Sequence, residues 1–209
     1  MFAKTAVERW HRFLTLPEAR RAAPPGVVLP GEPGWALEAG VVWYWYDLLC
    51  PFSYVGQDLA GILRQQGLKV IGLPLQLHPE IPPGGIPMGS HDAALREILE
   101  QEAHKCGLEL HWPARLPYSR PALAALEWVR EQEPSAFMTL QSALFRAHFV
   151  SGEDIEARSV IEAHAAASGV HLPFLREALA DGSADAAVTR AHRSARAMGM
   201  RWTPSWLGD

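Results

Sequence analysis

The chain has little cysteine and no long apolar run. Cys50 and Cys106 are the only thiols among 209 residues, too few for a disulfide framework or a cysteine-based zinc site. No stretch approaches the roughly 18 consecutive apolar residues that a spanning helix needs, so no membrane association is expected. Basic residues are not in excess: 19 Lys and Arg against 23 Asp and Glu leave a formal charge of −4, which argues against nucleic acid as a partner. The segment Met1 to Trp10 contains Glu8 and lacks the apolar core of a secretory signal, and a cytoplasmic location is expected. Histidine is plentiful, yet His91, His104, His111, His148, His164, His171 and His192 share no i, i+4 pair on one helix and stand near no cysteine pair. No metal site is expected from them.

What the chain does have is enough apolar content, 48% against 20% charged, to bury one sizeable domain or a small domain carrying a large insertion. The strongest local signal is Val41-Val42-Trp43-Tyr44-Trp45-Tyr46, a continuous β-branched and aromatic run that reads as a strand buried on both faces. Cys50 follows it, and then Pro51, whose missing N–H and fixed φ suit the first turn of a helix. Cys50 therefore stands at a helix mouth. The free N–H groups of Phe52 and Ser53 and the positive end of the macrodipole would stabilise a thiolate there, so the spacing predicts a thiol of lowered pKa and raised reactivity. Ser53, three residues on, falls on the same face.

In chain order, Lys4 to Leu14 carries Val7, Trp10, Phe13 and Leu14 at helical spacing, and Ala23 to Gly40 is a Pro/Gly-rich linker. The helix from Pro51 runs to about Gln66, with Gly67 suited to its C-cap. Lys69 to Leu77 predicts a second strand interrupted by Gly72 and Pro74. A βαβ unit with parallel strands follows, and ligands of such sheets sit beyond the strands' carboxyl ends, where Cys50 lies. From Asp92 to Met198 the pattern is almost wholly helical: Asp92 to Cys106, Pro121 to Gln132, Ser135 to Val150, Ile155 to Ser168, Pro173 to Ala180 and Ala184 to Met198, punctuated by Gly107, Gly152, Gly169 and Gly182. Pro-rich Ile81 to Pro87 and His111 to Pro121 would border the cleft, with Trp112 and Tyr118 either facing a substrate or packing. Cys106, beside Gly107, reads as an inert core thiol. His78 either bonds a substrate or satisfies its loop.

The motif Tyr46-Asp47-Leu48-Leu49-Cys50-Pro51-Phe52-Ser53-Tyr54-Val55-Gly56 resembles the active-site turn of the DsbA-like thioredoxin-fold superfamily. Its oxidoreductases carry Cys-Pro-x-Cys, and its 2-hydroxychromene-2-carboxylate isomerases and kappa-class glutathione transferases carry Ser-Pro-Tyr-Ser or a close variant. Cys50 matches the first position of the former and Ser53 the last of the latter. The resemblance continues through Leu77 to Gly85, Leu144 to Ile155 and Trp202-Thr203-Pro204. It implies an α/β, thioredoxin-like fold with a large inserted all-helical domain. On that plan residues 1–40 hold the N-terminal helix and linker, 41–90 the first part of the thioredoxin-like domain, 91–198 the insertion, and 199–209 the cis-proline loop and the start of a third strand.

The resemblance further implies Cys50 and Ser53 as catalytic residues and Pro51, Phe52, Thr203 and Pro204 as substrate-binding ones. The Thr203–Pro204 bond is expected to be cis and to lie against Cys50, since X–Pro is the linkage that admits cis. Two activities stay open. One is a thiol–disulfide oxidoreductase or disulfide isomerase working through a single cysteine, because Ser53 cannot resolve a mixed disulfide. The other is a glutathione-dependent isomerase or kappa-like transferase, with a non-catalytic binding protein as the third class. No permanently bound cofactor is expected; glutathione is a candidate co-substrate, and the partner is a small thiol, a disulfide or a peptide. The family continues past this chain's end with a further strand and helix. Either the sequence is a truncated piece, or the N-terminal helix or the second subunit of a homodimer covers that sheet edge.

Overall fold

The computed structural model describes residues 36–89 and 93–208; the expected helix from Lys4 to Leu14 and most of the linker after it lie outside the described residues. Strand β1, Val41–Tyr46, forms where the aromatic run predicts it. It is the middle strand of a three-stranded sheet, with a strand on each side. Strand β2, Lys69–Pro74, runs parallel to it, with Tyr44 opposite Gly72, and β5, Ser205–Gly208, runs antiparallel, with Tyr44 opposite Trp206. Alternation along β1 feeds two cores. Tyr44 and Tyr46 point into the main one, while Trp45 enters a smaller one with Leu73, Leu75, Ala195 and Met200.

Helix α1, Pro51–Gln65, connects β1 to β2 and buries Tyr54, Val55, Leu59 and Ala60. It stops where Gly67 adopts a positive φ of 84°, the left-handed conformation that glycine enters without a Cβ penalty. Strand β2 ends at Pro74, short of the expected Leu77. Gly72 has a packing reason: a Cβ there would lie 2.7 Å from the Tyr44 ring. That ring stacks on Trp206 at 4.8 Å, and its hydroxyl donates to Gln141 Oε1 at 2.5 Å.

Between β2 and β5 the described residues form six α-helices: α2 (Ala93–Lys105), α3 (Arg120–Gln132), α4 (Pro134–Arg146), α5 (Arg158–Ala167), α6 (Leu172–Asp181) and α7 (Ser183–Ala197). Helix α3 is their axis. Its small buried residues Ala122, Ala124 and Ala125 let neighbours approach, and Arg120 ties it to α7 through Asp185 Oδ2 at 2.9 Å and Thr189 Oγ1 at 2.6 Å. Pro134, unable to continue α3, begins α4 one residue later.

Two expectations need correcting. The predicted helix from Ser135 to Val150 ends at Arg146 and passes into a π-turn, Ala147–Ser151, closed by Gly152 at φ 67°. The helix expected from Ile155 starts at Arg158, because Asp154 Oδ1 accepts the Glu156 N–H in a turn and Ile155 is fully buried beneath it. The Pro-rich loops also contain a two-stranded ladder, β3 (Ile86–Pro87) against β4 (Arg115–Leu116), which joins the segments expected to border the cleft. No described helix is long and apolar enough to cross a membrane.

Candidate active site

Three segments distant in sequence meet at the carboxyl end of β1. The first is the turn after the strand, where Asp47 O accepts the Cys50 N–H at 3.1 Å. Cys50 is the N-cap of α1, with extended φ −85° and ψ 113°, and its own carbonyl accepts the Tyr54 N–H, the first bond of the helix. The second is the loop after β2. The third is the loop before β5, where the Thr203–Pro204 peptide is cis.

Cys50 is only 6% exposed, and its thiol donates to the Thr203 carbonyl oxygen at 3.2 Å. Pro204 sits over α1 at Gly56, the position where a side chain would first touch its ring. Ser53 is buried beneath the sulfur; its hydroxyl oxygen accepts the Asp47 N–H at 3.5 Å. The structure thus brings Cys50, Ser53 and Thr203 together.

The electrostatics overturn the lowered pKa expected from the helix mouth. Burial pushes the Cys50 thiol up, and the Asp47 carboxylate adds to that push; the Thr203 hydroxyl and the Ser53 hydroxyl and N–H pull the other way without prevailing. A thiol donating to a carbonyl is stabilised as the thiol, so the contact with the Thr203 oxygen works in the same direction as burial. The Thr203 hydroxyl, buried without a formed hydrogen bond, is a donor held ready for the thiolate.

Asp47 was in the motif but carried no expected role. It is fully buried, and its carboxylate accepts the Leu49 N–H at 3.2 Å and the Leu77 N–H at 2.7 Å. It therefore fastens the Cys50 turn to the loop after β2. Burial raises its pKa, and these two N–H bonds oppose the rise.

A small cavity of about 120 Å³ opens beside the sulfur. Cys50, Pro51, Leu77, His78, Met88 and Trp112 are among its walls, and β4 and the π-turn contribute Leu116 and Phe149. Pro51 and Trp112 thus line it, and so does His78, whose Nδ1 pairs with Glu80 Oε1 at 2.9 Å. Phe52, Thr203, Pro204 and Tyr118 are not among its walls; Tyr118 packs against the main core instead. Cys106 follows the last residue of α2, against the same core, and neither cysteine is in a disulfide.

No curated protein matches the chain. Among solved structures it is similar to a probable DsbA oxidoreductase from Streptomyces coelicolor, with TM-score 0.68 and 23% identity over 79% of each chain. It is also similar to a 2-hydroxychromene-2-carboxylate isomerase, with TM-score 0.66 and 19% identity over 81% of this chain and 85% of that one. A third likeness is to the cytosolic disulfide reductase DsbM from Pseudomonas aeruginosa, solved with GSH, with TM-score 0.57 and 22% identity over 79% of this chain and 84% of that one. At these identities the likeness carries the fold alone. The family model for the DSBA-like thioredoxin domain matches residues 41–208, from the first residue of β1 to the last of β5, and the chain belongs to that family.

Proposed function

We propose that the protein is a thiol–disulfide oxidoreductase or disulfide isomerase in which Cys50 is the single nucleophile. The observation that carries this reading is the position of Cys50 at the N-cap of α1, against Thr203, with a hydroxyl at Ser53 where a dithiol enzyme would need its second sulfur. In the forward step the Cys50 thiolate attacks one sulfur of a substrate disulfide. A new bond forms between Cys50 and that sulfur, the substrate S–S bond breaks, and the other sulfur leaves as a thiolate that takes up a proton. An external thiol, deprotonated, then attacks the mixed disulfide and releases Cys50. No electrons are lost overall; the external thiol is oxidised as the substrate is reduced.

Burial of Cys50 gives this chemistry a gate. The resting thiol is held neutral by the Thr203 carbonyl, and a substrate that occupies the Thr203 backbone frees the sulfur to ionise, with the Thr203 and Ser53 hydroxyls as donors to the thiolate. His78, held by Glu80 at its Nδ1 and lining the cavity, would hand a proton to the leaving sulfur. We assign the reaction to the cytoplasm; the similar reductase from Pseudomonas aeruginosa is described as cytosolic.

A second reading rests on Ser53, whose hydroxyl beside the sulfur could instead hold the thiol of glutathione in an isomerase or transferase. The two readings separate in one assay. Reduction of a model peptide disulfide by excess glutathione should be accelerated by the wild-type protein and not by Cys50→Ser. Turnover of a chromene carboxylate or an electrophile that persists in Cys50→Ser would instead support the second reading.

A further inference from the structure

Beyond Leu77 lies a second cavity that the proposed chemistry leaves unused. It measures about 400 Å³, and its polar walls are Gln76, Arg196 at the end of α7 and Arg201 in the loop before β5; among the described residues no carboxylate lines it. Both arginines are exposed, and neither guanidinium forms an ion pair or hydrogen bond among the described residues, unlike those of Arg120, Arg130 and Arg190, which are matched to Asp185, Glu127 and Glu131. Gln76 is the third element. It is 8% exposed, its main-chain N–H is fixed by His192 Nε2 at 2.9 Å, and its side-chain Nε2 is buried with no partner. Buried donors almost always find an acceptor. An unpartnered amide donor and two unpartnered guanidinium groups in the walls of one cavity describe a receptor for an anion with several acceptor oxygens.

Its location gives the anion a purpose. Leu77 is a wall of both this cavity and the Cys50 cavity, and Arg201 is two residues from Thr203, whose carbonyl contacts the Cys50 sulfur. A ligand lying across Leu77 would reach both. Resting on the thiol-exchange reading above, we infer that Arg196, Arg201 and Gln76 bind a carboxylate of the substrate, which is a low-molecular-mass acidic thiol or its disulfide.

The test compares the rates at which Cys50 forms a mixed disulfide with oxidised glutathione, with the uncharged bis(2-hydroxyethyl) disulfide, and with a peptide disulfide of acidic sequence. These are followed by intact mass in the wild type and in the double variant Arg196→Gln, Arg201→Gln. Both arginines are exposed, so folding should survive, and circular dichroism checks it. The wild type should favour oxidised glutathione over the uncharged disulfide by at least about tenfold, and the double variant should lose that preference while keeping its rate with the uncharged one. Equal loss on all disulfides, no loss at all, or an arginine-dependent preference seen only with the peptide would overturn the assignment. Calorimetric binding of S-methylglutathione needs no thiol chemistry: salt-sensitive binding that the double variant lacks supports the anion site even if Cys50 proves unreactive, and absence of binding to the wild type overturns it.

Discussion

The thiol of Cys50 and the carbonyl of Thr203, 153 residues apart in sequence, are in hydrogen-bond contact at 3.2 Å. That contact makes the resting thiol a donor, buried and neutral, and it sets the first prediction. The rate of Cys50 alkylation by iodoacetamide, followed against pH by peptide mass, should rise with a midpoint above the ordinary thiol value of about 8.5. Thr203→Val removes the hydroxyl that favours the thiolate and should move the midpoint higher still. A midpoint well below the ordinary value in the wild type would mean that the helix mouth outweighs burial.

Ser53 is buried three residues after Cys50, at the first turn of α1, and its hydroxyl and N–H act on the Cys50 sulfur, a spacing that suits two bridging sulfurs. Mild oxidation of Ser53→Cys should therefore give an internal disulfide from Cys50 to the introduced thiol, stable enough to abolish labelling of Cys50. Persistence of a free Cys50 under those conditions would show that the turn differs from the one described.

Gly72 is open to a direct stability test. A methyl at this position would stand 2.7 Å from the Tyr44 ring, which is itself held by Trp206 and Gln141. Gly72→Ala should cost on the order of 1–3 kcal/mol, the usual range for overpacking a filled core. Urea unfolding measures it; a change under about 0.5 kcal/mol, the range of ordinary surface substitutions, would mean that Tyr44 has somewhere else to go.

Two histidines predict a stability loss in mild acid. His148 is buried in the π-turn with Nε2 unpartnered, and burial pushes its pKa down to about 4. His192 accepts the Gln76 N–H, and burial, with Arg120 and Arg196 adding, pushes it down to about 4 as well. Both rings fold neutral, so their contribution is complete above the unfolded value near 6.5 and is lost as pH falls toward 4. The urea midpoint of the wild type should drop more across that window than that of the double variant His148→Gln, His192→Gln. Parallel curves for the two proteins would contradict the burial argument.

Much of this was legible in the chain. The aromatic run of β1, Pro51 after Cys50, and Gly67 at the end of α1 act through local geometry, so sequence suffices for them. The meeting of Thr203 with Cys50 came from the family motif, since nothing local ties residue 203 to residue 50. Asp47 gives no signal of its own, because a lone acid after a strand looks like a polar turn; only the fold shows Leu77 coming back to donate to it. The direction of the Cys50 shift is hidden from the sequence for a related reason. The helix mouth is a local feature, whereas the burial that outweighs it is built by Thr203, Leu77 and the β3–β4 loops, from three parts of the chain. The π-turn at Ala147 was invisible because its residues continue a helical pattern, and β3 and β4 because two residues each leave no alternation to see.

The claim at the centre of this account is that one cysteine acts alone. Incubation of the wild-type protein with oxidised glutathione, followed by intact mass and cysteine-resolved peptide mass spectrometry, addresses it directly. The prediction is a single glutathione adduct on Cys50, removed by added thiol, unchanged in Cys106→Ala and absent in Cys50→Ser. An adduct on Cys106 alone, or an internal disulfide between Cys50 and Cys106 that replaces the adduct, would contradict it.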